Sequence, residues 1–147
     1  MKVFISSLIA GFEPFREAVR SAVTTLRHEP VMAEDFGARP SSPQVACLSG
    51  VRDADAVVLV LGERYGAVQP SGLSATHEEY REAQGRKPVI AFVQEGISPE
   101  PRQEEFVTEV QAWKDGLFRG GFRNAEDLRA GVTRALHDYV WRAPSDP

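Results

Sequence analysis

Ala56-Val57-Val58-Leu59-Val60-Leu61, bounded by Asp55 and Gly62, is the most apolar segment of the chain. It is too short for a buried helix, and it lacks the polar alternation of a half-solvated strand. Its β-branched content predicts a strand covered on both faces, as in the interior of a parallel sheet.

The pattern repeats outward from there. Val3 to Ser6 reads as a short buried strand that ends in the polar pair Ser6-Ser7. Phe15, Ala18, Val19, Ala22 and Leu26 then recur at helical spacing, with Pro14 near the helix start, where its missing N–H costs little. Pro30-Val31-Met32 predicts a second strand, running into Glu34-Asp35, and Gly37 to Ser42 a loop. Ser42-Pro43 caps a helix that extends to about Ala54. After the central strand come a long loop from Gly62 to Leu73, a short helix from Thr76 to Gly85, and a strand from Pro88 to Val93. A helix from Glu100 to Asp115, a glycine-containing strand from Leu117 to Phe122 and a last helix capped by Asn124 complete the set.

Strands alternating with helices across short connections demand parallel strands and right-handed crossovers. The expected fold is α/β, a three-layer sandwich with a parallel sheet of about five strands in the flavodoxin-like order 2-1-3-4-5. A single domain over residues 1–141 and a linker-like tail over 142–147 account for the 147 residues. Hydrophobic residues make up 42% and charged residues 26%, which excludes disorder, and no apolar run approaches a bilayer span. The start turns polar at Ser6, so no signal peptide is expected, and one cysteine, Cys47, suits a reducing cytoplasm. The net charge of −4 comes without a basic cluster, so nucleic acid is not an expected partner. His28, His77 and His137 lack ligand spacing, so no metal site is expected. Cys47 lies mid-helix and reads as a structural thiol. No glycine-rich phosphate loop follows the first strand.

In a sheet of this order ligands bind beyond the carboxyl ends of the strands, where the order reverses between strands 1 and 3. That rule gathers Ser6, Ser7, Glu34, Asp35, Gly62, Arg64, Tyr65, Ser74, Thr76, Glu79 and Tyr80 as candidates, and places Ser6-Ser7 beside Gly62 to Gly66. Thr76-x-x-Glu79 has two compatible readings. It is a complete capping box, with threonine as cap and glutamate reaching back, and it is also a carboxylate aimed at the crevice. Arg64-Tyr65-Gly66 is either a turn with Gly66 at positive φ or a wall for a flat or anionic ligand. Ser6-Ser7 can cap a turn, and Glu34-Asp35 can be a solvated loop.

Taken together, Val3-Phe4-Ile5-Ser6-Ser7, Leu61-Gly62 with Arg64-Tyr65-Gly66, and Ser74-x-Thr76-x-x-Glu79-Tyr80-x-x-Ala83 resemble a TIR-like domain family of bacterial NTPase- and repeat-associated proteins. The likeness runs to about Tyr139. It implies membership of the TIR and nucleoside 2-deoxyribosyltransferase-like superfamily, whose enzymes cleave N-glycosidic bonds, often the nicotinamide–ribose bond of NAD. By this resemblance Glu79, followed four residues later by Ala83, stands as the catalytic residue, and Lys87-Pro88-Val89-Ile90 match the basic residue and strand that follow. Ala75 stands where TIR domains often carry tryptophan. Ser6, Ser7, Glu34, Asp35, Gly62, Arg64, Tyr65, Ser74, Thr76 and Tyr80 would then contact substrate. The resemblance further implies NAD as substrate with no resident cofactor, homo-oligomers formed through helix surfaces, fusion to a larger sensor or NTPase protein, and bacterial defence or signalling in the cytoplasm. Two alternatives stand beside it: a non-catalytic self-association module and a nucleoside deoxyribosyltransferase.

Overall fold

The computed structural model describes residues 1–37, 42–113 and 117–142. Five strands, β1 (Lys2–Ser6), β2 (Glu29–Val31), β3 (Ala56–Leu61), β4 (Val89–Gln94) and β5 (Leu117–Phe122), form one sheet in the order β2-β1-β3-β4-β5. Every pairing is parallel. The helices are α1 (Glu13–Thr25), α2 (Pro43–Asp53), α3 (Ala75–Ala83), α4 (Pro101–Ala112) and α5 (Ala125–Arg142), with a 3-10 turn at Ala33–Asp35. The fold is α/β and flavodoxin-like, in the order the sequence predicts.

β3 is buried at all six positions. Its alternate side chains feed two cores. Val58 and Val60 join Val3, Ile5, Val19, Val23, Leu128 and Leu136 under α1 and α5. Val57, Leu59 and Leu61 join Phe4, Val51, Tyr80, Phe106 and Val110 under α2, α3 and α4. Each fully buried side chain of this size contributes roughly 1.5–3 kcal/mol, which is why the one segment without polar interruption lies in the centre.

Local signals set the ends of the elements. Ser42 caps α2 by accepting from the Val45 N–H at 3.2 Å, with Pro43 at the first helical position. Asn124 Oδ1 accepts from the Asp127 N–H at 2.8 Å at the start of α5. Gly66 does adopt a positive φ, +94°. α5 runs through Arg142, one residue into the expected tail. The rest of that tail, the expected helix end at Asp115 and most of the Gly37–Ser42 loop lie outside the described residues. Among the described residues no helix is long and apolar enough to cross a membrane.

Candidate functional site

β1 ends with its last residue, Ser6, paired in register with Leu59, so the chain leaves the sheet between β2 and β3. The crossover helices on one face, α2 and α3, part at that level. Between them and the Ser7-Leu8-Ile9 turn lies a cavity of about 290 Å³. Apolar side chains dominate its wall, with Ile5, Leu8, Cys47 and Leu48 among them, and Glu79 is on its lining. The volume sits at the low end of about 300–1,000 Å³ typical of small-molecule sites.

Glu79 is 6% exposed. Its Oε1 accepts a hydrogen bond from the Ser6 hydroxyl at 2.6 Å, which ties α3 to the end of β1. The Cys47 thiol, one turn into α2, is a further hydrogen-bond partner, and the Arg16 guanidinium acts through space. Burial dominates all of these and pushes the carboxyl up to about 7. The same closeness raises Cys47: burial first, then Glu79, push the thiol up to about 12, far from a nucleophile's range.

Arg16 is the residue sequence reading missed. It is 3% exposed on α1. Its Nε and Nη2 donate to the two carboxylate oxygens of Glu34 at 2.7 and 2.5 Å, and its Nη1 donates to Ser7 Oγ at 2.8 Å and to the Ser7 carbonyl at 3.3 Å. The fork thus fixes the turn that walls the cavity. Hydrogen bonding to Arg16 lowers the Glu34 carboxyl below its ordinary value. A signal was present: Arg16 lies three residues before Val19 and seven before Val23, on the apolar stripe of its helix.

The expected site residues part company here. Ser6, Ser7, Thr76 and Glu79 gather at the cavity, and Glu34 reaches it through Arg16. Asp35 points outward to Arg20 at 2.9 Å, on the exposed side of the 3-10 turn. Gly62, Arg64 and Tyr65 do not line it; they border a separate hollow of about 10 Å³ with Thr76 and Gln103. The expected juxtaposition of Ser6-Ser7 with Gly62 to Gly66 around one crevice is therefore corrected: Leu8 and Thr76 stand between the two. Gly62 is packed so closely on Phe12 that a Cβ would collide with the ring. Arg64 hydrogen-bonds the Ala10 carbonyl. Tyr80 is fully buried among Phe106 and Trp113, on the side of α3 turned from the cavity.

The capping box is also corrected. Ser74, not Thr76, caps α3, accepting from the His77 N–H at 3.2 Å, and Glu79 turns to Ser6 instead of back to the helix start. With the cap two residues earlier, Glu79 falls a full turn inside the helix and its carboxylate is free to face another element.

A second buried polar chain starts from the same helix. The Tyr65 hydroxyl accepts from the Ser74 N–H at 3.2 Å and lies 2.6 Å from His77 Nδ1, while His77 Nε2 is 3.0 Å from Glu109. Burial lowers the His77 pKa. A neutral imidazole with its proton on Nε2 satisfies all three contacts. Of the two readings of Arg64-Tyr65-Gly66, a turn or a ligand wall, the turn with Gly66 at positive φ is the one present, and Tyr65 is the keystone of the loop before α3. Among the described residues no group of three metal-ligating side chains is found.

Fold and cavity define a class: a parallel α/β sandwich with one desolvated carboxylate at the point where strand order reverses. The chain belongs to the family described as "Domain of unknown function (DUF4062)", which matches residues 2–137. Comparison with curated proteins returned no match.

Proposed function

We propose that this chain is a TIR-like domain that cleaves the N-glycosidic bond between nicotinamide and ribose in NAD, with Glu79 as the catalytic carboxylate. The observation that carries the proposal is a glutamate 6% exposed, yet on the lining of a cavity at the strand switch point, with Ser6 to orient it. Buried carboxylates without a fixed cationic partner are expensive and mark functional sites more often than structural ones.

The chemistry suits a site with a single acid. Nicotinamide departs from a cationic pyridinium as a neutral molecule, so no proton has to be supplied to the leaving group; ordinary glycosidases need two carboxylates because their leaving group must be protonated. The C1′–N bond breaks with its electron pair going to the ring nitrogen. Positive charge develops on the ribose, and an ionised Glu79 in a desolvated pocket stabilises it. Water then adds to C1′ and loses a proton. Ser6 holds the carboxylate in place, and the Ser7 turn, held by Arg16, closes one wall against bulk solvent.

Incubating purified chain with NAD, free and artificially clustered, and measuring released nicotinamide tests the proposal. Wild type should turn over, and Glu79→Ala should lose activity. Clustered wild type that leaves NAD intact at high concentration would defeat it. Base exchange on deoxynucleosides with no NAD turnover would favour the transferase alternative, with Glu79 as nucleophile. Self-association as the sole role has one observation in its favour: Trp141, near the end of α5, is 71% exposed. Assembly that is lost in Trp141→Ser and indifferent to Glu79→Ala would support that reading.

A further inference from the structure

The cavity's charge arrangement says more about its occupant. Among the described residues three charged side chains line it: Arg16, Glu78 and Glu79. Every nitrogen of Arg16 is already committed, two to Glu34 and one to Ser7. Its charge is matched by the Glu34 carboxylate in a two-pronged pair. Glu78 sits at the rim and takes only neutral donors, Gln44 Nε2 at 2.7 Å and the Ser71 hydroxyl at 2.6 Å. Glu79 receives only the neutral hydroxyl of Ser6 and the thiol of Cys47.

Helix N-termini could in principle attract an anion, since α2 and α3 both begin at the cavity. Here they compensate only in part. Pro43 has no N–H to offer, and the Val45 and His77 N–H groups are taken by the Ser42 and Ser74 hydroxyls, which leaves the Gln44, Ala75 and Thr76 N–H groups as neutral donors on the wall. Glu78 stands at the start of α3 and already answers its positive end, with Glu79 one residue further in. The interior potential is therefore negative, and the walls that focus it are apolar.

Size points the same way. About 290 Å³ accommodates one ring and one sugar, not a dinucleotide.

We propose, on the basis of the glycosidase reading above, that the cavity recognises a cationic N-ribosyl pyridinium and that no phosphate enters it or adds to binding there. The phosphates and any second nucleoside of a larger substrate lie outside, and phosphate-free pyridinium ribonucleosides are ligands in their own right. A phosphate brought beside Glu78 and Glu79 would be repelled and would find no uncommitted cation among the described residues.

The test is a binding titration of the full chain, followed by backbone amide shifts of Gln69 and Thr76, both on the cavity wall. The probes are nicotinamide riboside, its 5′-monophosphate, and the reduced, uncharged dihydronicotinamide riboside. The cationic riboside should bind saturably, at least as tightly as its monophosphate and tenfold or more tighter than the reduced form. Tenfold tighter binding of the monophosphate, equal binding of the reduced form, or no saturable shift with any probe each overturns the proposal. Failure of the catalytic reading looks different: the riboside binds with the expected preference, yet neither it nor NAD releases nicotinamide.

Discussion

His77 and Glu79 stand two residues apart on α3, are buried to almost the same extent, and do opposite things. His77 lies 5% exposed in a chain that closes on itself: Ser74 N–H, Tyr65 hydroxyl, imidazole and Glu109 use one another's donors and acceptors, with Phe106 stacked on the ring at 4.0 Å. Glu79 lies 6% exposed with one short bond, from Ser6, and empty space beside it. A fully satisfied buried network fixes a loop and holds a fold together. A buried carboxylate with acceptor capacity left over costs stability and is retained where something binds. The two also titrate in opposite senses. Burial lowers His77 and raises Glu79, because in each case it disfavours the charged form.

Glu79→Gln should break the comparison most sharply. Under the proposed function, nicotinamide release falls several hundred-fold, the equivalent of about 3–4 kcal/mol of lost transition-state stabilisation. Stability should move the other way. Between the ordinary carboxyl value of 4.5 and the folded value of about 7, the folded chain holds a proton that the unfolded chain has released. Stability of the wild type therefore falls as pH rises across that window, by roughly 3 kcal/mol in all. Glu79→Gln should remove this slope, so that denaturant midpoints of variant and wild type agree near pH 4.5 and separate by pH 8, with the variant more stable. A variant that is less stable at pH 8 would mean that Glu79 is a structural residue like its neighbour.

His77→Ala should show the converse. It leaves the Tyr65 hydroxyl without its 2.6 Å partner, strips Phe106 of its stacked ring and opens a cavity. A loss of roughly 2–4 kcal/mol is expected, a fall of about 4 °C in Tm per kcal/mol for a chain of this length. Below its melting temperature the variant should keep most of its nicotinamide release, since His77 does not line the cavity. The wild type should lose His77's contribution as pH falls below the unfolded value of 6.5, where the unfolded chain takes up a proton that the folded imidazole refuses. That acid limb should be absent in His77→Ala. Equal losses of activity and stability would dissolve the distinction between the two networks.

The contrast also explains what could be read from the sequence. Strand order followed from one apolar run and the alternation around it, because burial on both faces leaves a compositional mark at every position of β3. The helix of Glu79 and its crevice followed from topology. The rest did not, for a local reason: Thr76-x-x-Glu79 has the full pattern of a capping box, whereas Ser74-x-x-His77, which does cap the helix, lacks the acidic third residue. Tyr65, Gly62 and Tyr80 look no different in sequence whether they bind a ligand or pack a core. Arg16 was hidden because a lone arginine in an amphipathic helix is ordinarily solvated, and its partners, Ser7 and Glu34, lie on other elements.

Arg16 sharpens the comparison from the functional side. Arg16→Gln removes the pair with Glu34 and the restraint on the Ser7 turn, costing roughly 1.5–3 kcal/mol of stability. It also removes a charge that lowers the Glu79 pKa, so that pKa should climb, readable from the Glu79 side-chain ¹³C shift in a pH titration. Nicotinamide release at pH 7 should drop by about tenfold, equivalent to ~1.4 kcal/mol, and recover partly at pH 8.5. Arg16→Lys keeps the point charge but not the fork, so it should retain the Glu79 titration while still losing stability. Glutamine and lysine variants with the same Glu79 titration would show that Arg16 acts only through the shape of the turn.

Cys47 gives the smallest expected change and the finest check on the geometry. Its thiol partners Glu79, and that carboxylate together with burial holds it up at about 12, against an ordinary value of 9.0. At pH 8 the thiolate fraction is then about a thousandfold below that of a free thiol, so iodoacetamide should modify native protein far more slowly than unfolded protein. Cys47→Ala should cost under about 1 kcal/mol and nudge the Glu79 titration upward, because one of its donors is gone. Native alkylation at the rate of an exposed cysteine would show that the thiol faces water and not the carboxylate. Glu79 would then have one fewer contact fixing it at the cavity, and the difference between it and His77 would be correspondingly larger.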